Sequence, residues 1–248
     1  MKDIHNHLLY GIDDGCESYE KSIKILNDLS KEGVTEIVVT PHYIIGSNYN
    51  SNNLEKSELI NKLQKQTNIK LYIGNEVYID HGIIEEINCG NISTINNTNY
   101  LLIELPLREK LECAKDIIFK LRNHGIIPII AHPERYHYLK LEDLIDFIDM
   151  GCLLQGNITS LNNKYGKNAK KNLELLLKKY MIHVLGTDTH NNGNIQLDSC
   201  CKLLKKIVSN KMYSELMNDN FEKIINNKKV DAYTIISKKG LFKREKFK

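Results

Sequence analysis

AKDIIFKLRNHGIIPIIAHPE, residues 114–134, contains a helix, its stop signal and a strand in one short stretch. Ala114, Ile117, Ile118 and Leu121 recur at i, i+3, i+4 and i+7, the spacing of an amphipathic helix. Gly125 closes that pattern where a left-handed residue can end a helix at little cost. A continuous apolar run follows at 126, with His132 just past it. The same order recurs along the chain. Strand-like runs stand as IHNHLL at 4, EIVVTPH at 36, IKLYIGNE at 69, YLLIELP at 100, IIPIIAHPE at 126, CLLQGN at 152 and IHVLGTDTH at 182. Helical spacing returns at Leu141, Leu144, Ile145 and Ile148, and at Leu173, Leu176, Leu177 and Tyr180, while Gly33 and Gly151 act as Gly125 does. Apolar strands joined by helices imply a parallel sheet under helical cover. Functional residues gathered after the strands favour a closed α/β barrel over an open doubly wound sheet. The open alternative also lacks its Gly-rich phosphate loop, since HNHLLYGIDDG stands after the first strand.

With 248 residues and 42% hydrophobic content, the chain can bury a full core within the size range of one α/β barrel. One domain over residues 1–237 is expected, followed by a basic tail at 238–248, KKGLFKREKFK, which reads as a solvated terminus. Net charge is +3, and outside that tail no basic stretch interleaves with aromatics, which argues against a nucleic-acid partner. Six cysteines show no C-x-x-C pairing, and neither a signal peptide nor an apolar run of spanning length is present. A cytoplasmic protein without membrane insertion is expected. No cysteine has an arginine six residues on, which argues against a cysteine-dependent phosphatase. The asparagine-rich stretches 48–53 and 91–99 read as polar loops.

His5 and His7 form an H-x-H on a strand expected over Asp3–Leu8, so strand alternation aims both imidazoles the same way. Asp14, His42, Glu76, Glu104, His132, Asp188 and His190 bring the candidate ligands to nine. Imidazoles and carboxylates without thiolate favour Mn²⁺, Fe²⁺, Zn²⁺ or Mg²⁺ over a structural zinc clamp. Nine ligands exceed the needs of one ion. Two or three ions bridged by a shared carboxylate would lower the pKa of bound water and clamp phosphoryl oxygens. Arg135, in AHPER, offers either a planar fork to phosphate or an ordinary surface salt bridge. His124 and His183 read as structural. His81 and His137 are left as loop residues, although His137 and Tyr136 could line a substrate mouth.

The order H-x-H, IDDG, TPH, NE, IEL, AHPER and GTDTH resembles the polymerase-and-histidinol-phosphatase (PHP) superfamily. Within it, the chain is similar to the bacterial metal-dependent protein-tyrosine phosphatases of capsule and exopolysaccharide gene clusters, from Lys2 to about Tyr233. The resemblance implies a distorted (β/α)7 TIM-like barrel, the PHP fold, with three divalent metal ions, Mn²⁺ before Fe, Zn or Mg. One ion would be held by His5, His7, Glu76 and Asp188, a second by Glu76, Glu104 and His132, and a third by Asp14, His42 and His190. Asp13 would be a neighbour of the ligand Asp14. Arg135, Asp188 and His190 would be the catalytic residues, with a metal-bound hydroxide attacking phosphorus and Arg135 holding the phosphate. The implied substrate is a phosphotyrosine protein, the tyrosine-rich tail of a cognate bacterial tyrosine kinase that controls polysaccharide synthesis. A homo-oligomer is left open. Two alternatives stand beside this reading: a small-molecule phosphomonoesterase such as histidinol-phosphate phosphatase, and a metal-stabilised protein that binds a kinase tail with little turnover. One departure is visible. Where such phosphatases usually carry a phosphate-binding arginine after the D-x-H, this chain has NNGNIQLDS, with Ile195 or Gln196 near that place.

Overall fold

In a computed structural model, which describes residues 1–231, the seven apolar runs form parallel strands. These are β1 (Lys2–Asp3), β2 (Glu36–Val39), β3 (His42–Tyr43), β4 (Lys70–Ile73), β5 (Glu76–Tyr78), β6 (Tyr100–Glu104), β7 (Ile127–Ala131), β8 (Leu153–Asn157) and β9 (Val184–Gly186). The runs at 36 and 69 are each cut in two, by Thr40–Pro41 and by Gly74–Asn75. Proline has no N–H to give a ladder, and a Cβ on Gly74 would stand 2.9 Å from Val38 Cγ1, so the chain jogs where only glycine fits. The two runs stay paired on both sides of the jog, β2 with β4 before it and β3 with β5 after it.

The pairing follows chain order around a ring. β1 pairs with β2, and β5 leads through β6, β7 and β8 to β9. The ring closes between the first run and the last through a single bridge, Asn6 to Thr189. There Asp188 N donates to His5 O at 3.0 Å and His7 N to Thr189 O at 2.9 Å. The strand expected over Asp3–Leu8 is thus shorter than its pattern suggests, because beyond Asp3 the segment makes only this seam. The buried Asp3 carboxylate reinforces it. Its Oδ1 accepts from Thr187 N at 2.8 Å, and its Oδ2 from Thr187 Oγ1 at 2.6 Å and Asn6 Nδ2 at 2.9 Å. The result is the expected distorted seven-unit barrel.

Helices α1 (Tyr19–Lys31), α2 (Asn53–Gln64), α3 (Ile83–Asn88), α4 (Ala114–Asn123), α5 (Leu141–Asp149) and α6 (Gly166–Lys178) make the crossovers. Gly33, Gly125 and Gly151 take φ of 87°, 78° and 89° after α1, α4 and α5, as their positions predict. Each is followed by an N–H that reaches back into its helix, from Val34 to Leu29, Ile126 to Leu121 and Cys152 to Phe147, at 3.0 Å in every case. On α5 the buried face takes Phe147, whereas Ile145 is only partly covered. Tyr180, expected on the buried face of α6, lies beyond the helix end at φ 59° and is exposed. Asn52, expected in a loop, caps α2 by accepting from Glu55 N at 3.0 Å.

Strand alternation separates two apolar clusters. Ile4, Val38, Tyr100, Leu102, Ile129, Ala131, Leu153 and Val184 point inward. After α7 (Leu197–Ile207) and α8 (Asn210–Ser214), helix α9 (Asn220–Ile225) closes that interior from below with Phe221, Ile224 and Ile225. Ile103, Ile130, Leu154 and Leu185 point outward against the crossover helices. The inward parity places Glu104 in line with Tyr100 and Leu102, and Gln155 and Asn157 in line with Leu153. Each of these strands therefore turns from apolar to polar as it nears its C-terminal end. No helix among the described residues is long and apolar enough to cross a membrane. The basic tail expected at 238–248 lies outside the described residues.

Replacing Asp3 with Ala strands the Thr187 N–H and hydroxyl and the Asn6 amide in a dry seam. We expect a loss of roughly 3 kcal/mol or more in urea unfolding. An unchanged midpoint would remove Asp3 from this role.

Candidate metal centre

All nine candidate ligands meet at the C-terminal end of the ring, and Glu76 is at their centre. Its Oε2 lies 3.0 Å from His5 Nε2, 3.2 Å from His7 Nε2 and 3.2 Å from His42 Nδ1, while its Oε1 lies 3.0 Å from His132 Nε2. The Nε2 atoms of His5 and His7 face each other at 3.0 Å, and both approach Asp188 Oδ1 at 3.7 Å. Glu104 Oε1 is 3.6 Å from His132 Nε2, and its Oε2 is 3.8 Å from His42 Nδ1. At the mouth, Asp14 Oδ1 stands 3.5 Å from the Nε2 atoms of both His42 and His190. Three groups of donors have their ligand atoms within 4.8 Å of one another: His5, His7 and Glu76; His42, Glu76 and Glu104; and His7, Asp14, His42 and His190.

Local structure aims these side chains. His132 and Asp188 take left-handed φ values of 32° and 49° at the ends of their strands, which costs backbone energy that the surroundings must repay. The Asp188 carbonyl accepts from Lys164 Nζ at 2.9 Å, and its Oδ2 accepts from Asn157 Nδ2 and Tyr165 Oη, both at 2.8 Å. His5 is oriented by Gln155 Oε1, 2.9 Å from its Nδ1. Asp13 Oδ2 lies 2.8 Å from His7 Nδ1 and accepts from His42 N at 3.0 Å, so it is the neighbour that holds two candidate ligands. A Cβ on Gly15 would stand 2.3 Å from His7 O, so only glycine lets the Asp13–Asp14 turn fold over the histidine.

The charges are mutually dependent. Burial, and then the neighbouring Glu76, pushes the Glu104 carboxyl up to about 8. Burial also pushes His132 down to about 4. Burial opposes ionisation of Asp188, yet the imidazoles of His5 and His132 hold its carboxyl far below the usual range. His190 holds Asp14 down to about 2. Four carboxylates crowded among five imidazoles, most of them buried, form a donor set of hard and borderline character, which suits divalent cations.

The cradle opens into a cavity of about 700 Å³. Arg135 lines it and forms an ion pair with a buried partner rather than a surface one: its Nη1 pairs with Asp188 Oδ2 at 2.9 Å, and its guanidinium carbon lies 4.4 Å from the centre of the Tyr165 ring. Ile44, Tyr49, Tyr78 and Leu107 supply an apolar rim, and Ile195 and Gln196 also line the wall. Tyr136 is buried and accepts from Leu105 N at 3.0 Å, while His137 and His81 are exposed and do not line the cavity. The residues that sequence reasoning missed are Gln155, Asn157, Lys164 and Tyr165. The first two were accessible from the i, i+2 polar pair ending CLLQGN, whereas nothing in the local pattern marks the others.

Comparison with known proteins comes to the same place. A family model for capsular polysaccharide synthesis proteins, CpsB/CapC, matches residues 1–226. CapC of Staphylococcus aureus is 37% identical over 202 residues, 78% of either chain. Tyrosine-protein phosphatase CpsB of Streptococcus agalactiae is 29% identical over 209 residues, 77% of this chain and 83% of its own. A chain from the crystal structures of YwqE from Bacillus subtilis and CpsB from Streptococcus pneumoniae, described as unique metal-dependent tyrosine phosphatases, superposes with a TM-score of 0.85 at 26% identity. That match covers 94% of this chain and 97% of the other.

Below the cradle, Lys56 of α2 is fully buried and donates to Asn75 Oδ1 and to Asn91 O, while Asn75 Nδ2 donates to Pro41 O at 3.0 Å. This chain of bonds fixes the jogs that launch His42 and Glu76. Burial pushes the Lys56 ammonium down to about 7 from 10.5. Between those values the unfolded chain binds the extra proton, so stability is expected to rise with pH from about 7 towards 10.5. Chemical unfolding of wild type and Lys56→Met across this window should show the rise only in wild type, and equal slopes would contradict the assignment.

Proposed function

The chain belongs to the capsular polysaccharide synthesis CpsB/CapC family, and from that membership we propose that it is a metal-dependent protein-tyrosine phosphatase. The observation that carries the proposal is the convergence of nine imidazole and carboxylate donors beside Arg135 at the floor of an apolar-rimmed cavity. We propose that His5, His7, Glu76 and Asp188 hold one divalent ion, Glu76, Glu104 and His132 a second, and Asp14, His42 and His190 a third, with Mn²⁺ as the preferred metal. Such ions, when bound, lower the pKa of water and neutralise charge on a phosphoryl group.

The remaining work falls to the chain's own side chains. Arg135, placed over Tyr165 and anchored by Asp188, would present its guanidinium to phosphate oxygens. Ile44, Tyr49, Tyr78 and Leu107 offer an aromatic ring an apolar resting place at the rim. Asp13 and Gln155 keep the imidazoles of His7 and His5 from turning away. Asp188 and His190, paired at 3.4 Å, complete the proposed catalytic group with Arg135. The proposed substrate is the phosphorylated tyrosine-rich tail of a cognate kinase in the cytoplasm, with residues 1–237 acting as one domain in the control of capsular or exopolysaccharide synthesis. The full donor set and the relatives named as tyrosine phosphatases favour turnover of phosphotyrosine over capture of a kinase tail and over hydrolysis of histidinol phosphate.

Chelator-treated protein should release phosphate from a tyrosine-phosphorylated peptide only after Mn²⁺ is restored, and histidinol phosphate should be a poor substrate. Release from histidinol phosphate alone would overturn the tyrosine preference. Asp188→Ala is expected to lose turnover while remaining folded by circular dichroism, and wild-type rates in it would refute the site. Asp13→Asn should weaken Mn²⁺ binding about 10- to 100-fold in a metal titration. Unchanged affinity would show that Asp13 does not orient a ligand.

A further inference from the structure

Among the described residues that line the cavity, Arg135 and Lys164 are the only arginine and lysine, against the acidic side chains of Asp14, Glu76, Glu104 and Asp188. Lys164 lies between the polar end of β8 and the start of α6. Its chain is exposed, yet its ammonium turns inward to the carbonyl of Asp188. Lysines at a surface ordinarily keep the ammonium in water, so an inward one calls for a partner.

Lys164 shares its surroundings with Arg135. Its Nζ is 5.1 Å from the centre of the Tyr165 ring, against 4.4 Å for the Arg135 guanidinium carbon. Both also reach Asp188, Lys164 at the carbonyl oxygen and Arg135 at the carboxylate, each at 2.9 Å. An ammonium has three protons to give, and the bond to the Asp188 carbonyl takes one. We propose that Lys164 is a phosphate-binding residue of this site, acting with Arg135 to hold the phosphoryl group of the substrate. The proposal rests on the phosphatase reading above and adds to it a second cation on the wall. The two cations divide the task by chemistry. Arg135 is a planar fork of fixed orientation, whereas Lys164 is a compact charge on a flexible stem that can follow the phosphoryl oxygens as they move.

A purely structural role makes a different prediction. Lys164 Nζ and Tyr165 Oη both donate to the carbonyl of Asp188, whose φ is 49°, and so could serve only to pin that strained residue. The two roles separate in Lys164→Met and Lys164→Arg, each loaded with Mn²⁺ and titrated with inorganic phosphate by calorimetry, with bound metal and melting temperature measured alongside. We expect Lys164→Met to bind phosphate about tenfold more weakly and to show a raised KM for phosphotyrosine peptide, with metal content unchanged. Lys164→Arg should recover most of the phosphate affinity. Unchanged phosphate affinity in Lys164→Met would overturn the proposal. Loss of metal in Lys164→Met would overturn it too, by showing that the lysine only pins Asp188. If wild type binds phosphate but releases none from the peptide, the phosphatase reading fails, while the affinity difference still decides the role of Lys164.

Discussion

Asp3 places a buried carboxyl group in the least paired joint of the ring, where burial raises its pKa and bonds from Thr187 and Asn6 act in the opposite sense. Elsewhere around the ring, neighbouring runs are held by ladders of two or more paired residues. At the seam there is one bridge. The carboxylate replaces the missing rungs with side-chain and backbone bonds that connect residue 3 to residue 187. Because His5 and His7 follow Asp3 directly, and Asp188 and His190 follow Thr187, the same joint sets the distance between the two halves of the donor cluster.

The centre is built against its own electrostatics. Glu76 has four imidazoles close to its two oxygens, and Glu104 is pushed towards protonation by burial beside Glu76. Such an arrangement is poorly satisfied by protons alone, since neighbouring imidazoles repel once charged. Bound divalent cations would relieve this conflict by giving the donors a positive centre to face. The surrounding residues are arranged for rigidity: Asp13 behind His7, Gln155 behind His5, and Asn157 and Tyr165 on Asp188.

Much of this was legible in the sequence, for identifiable reasons. Continuous apolar strands, helical spacing and glycines at helix ends are local signals, and Gly33, Gly125 and Gly151 take the left-handed backbone that their positions predict. The nine donors were legible because imidazoles and carboxylates rarely end so many apolar runs by chance. The strand jogs were not, because Gly74 is required by Val38 from another run, a contact without local trace. Nor was the shortness of β1, since the H-x-H in IHNHLL reads as strand past the point where its partners run out. Tyr180 matched a helical face by spacing, but the helix ended before reaching it. Lys164 and Tyr165 sit in an unremarkable polar stretch and gain meaning only when β8 and β9 lie side by side.

Protein synthesis proceeds from the N-terminus, and the ring joins its first run to its last. His5 and His7 therefore emerge long before Asp188, and helix α9, which fills the barrel floor with Phe221, emerges later still. The seam closes a loop of most of the described chain, and closing so long a loop carries an entropic cost that contacts within one run or helix do not. A chain that lacks the last run still has Glu76 for His5 and His7 but not Asp188, the second carboxylate that approaches both. The donors that meet at the seam, His5 and His7 from the first run with Asp188 and His190 from the last, are thus brought together only once the last run has been made.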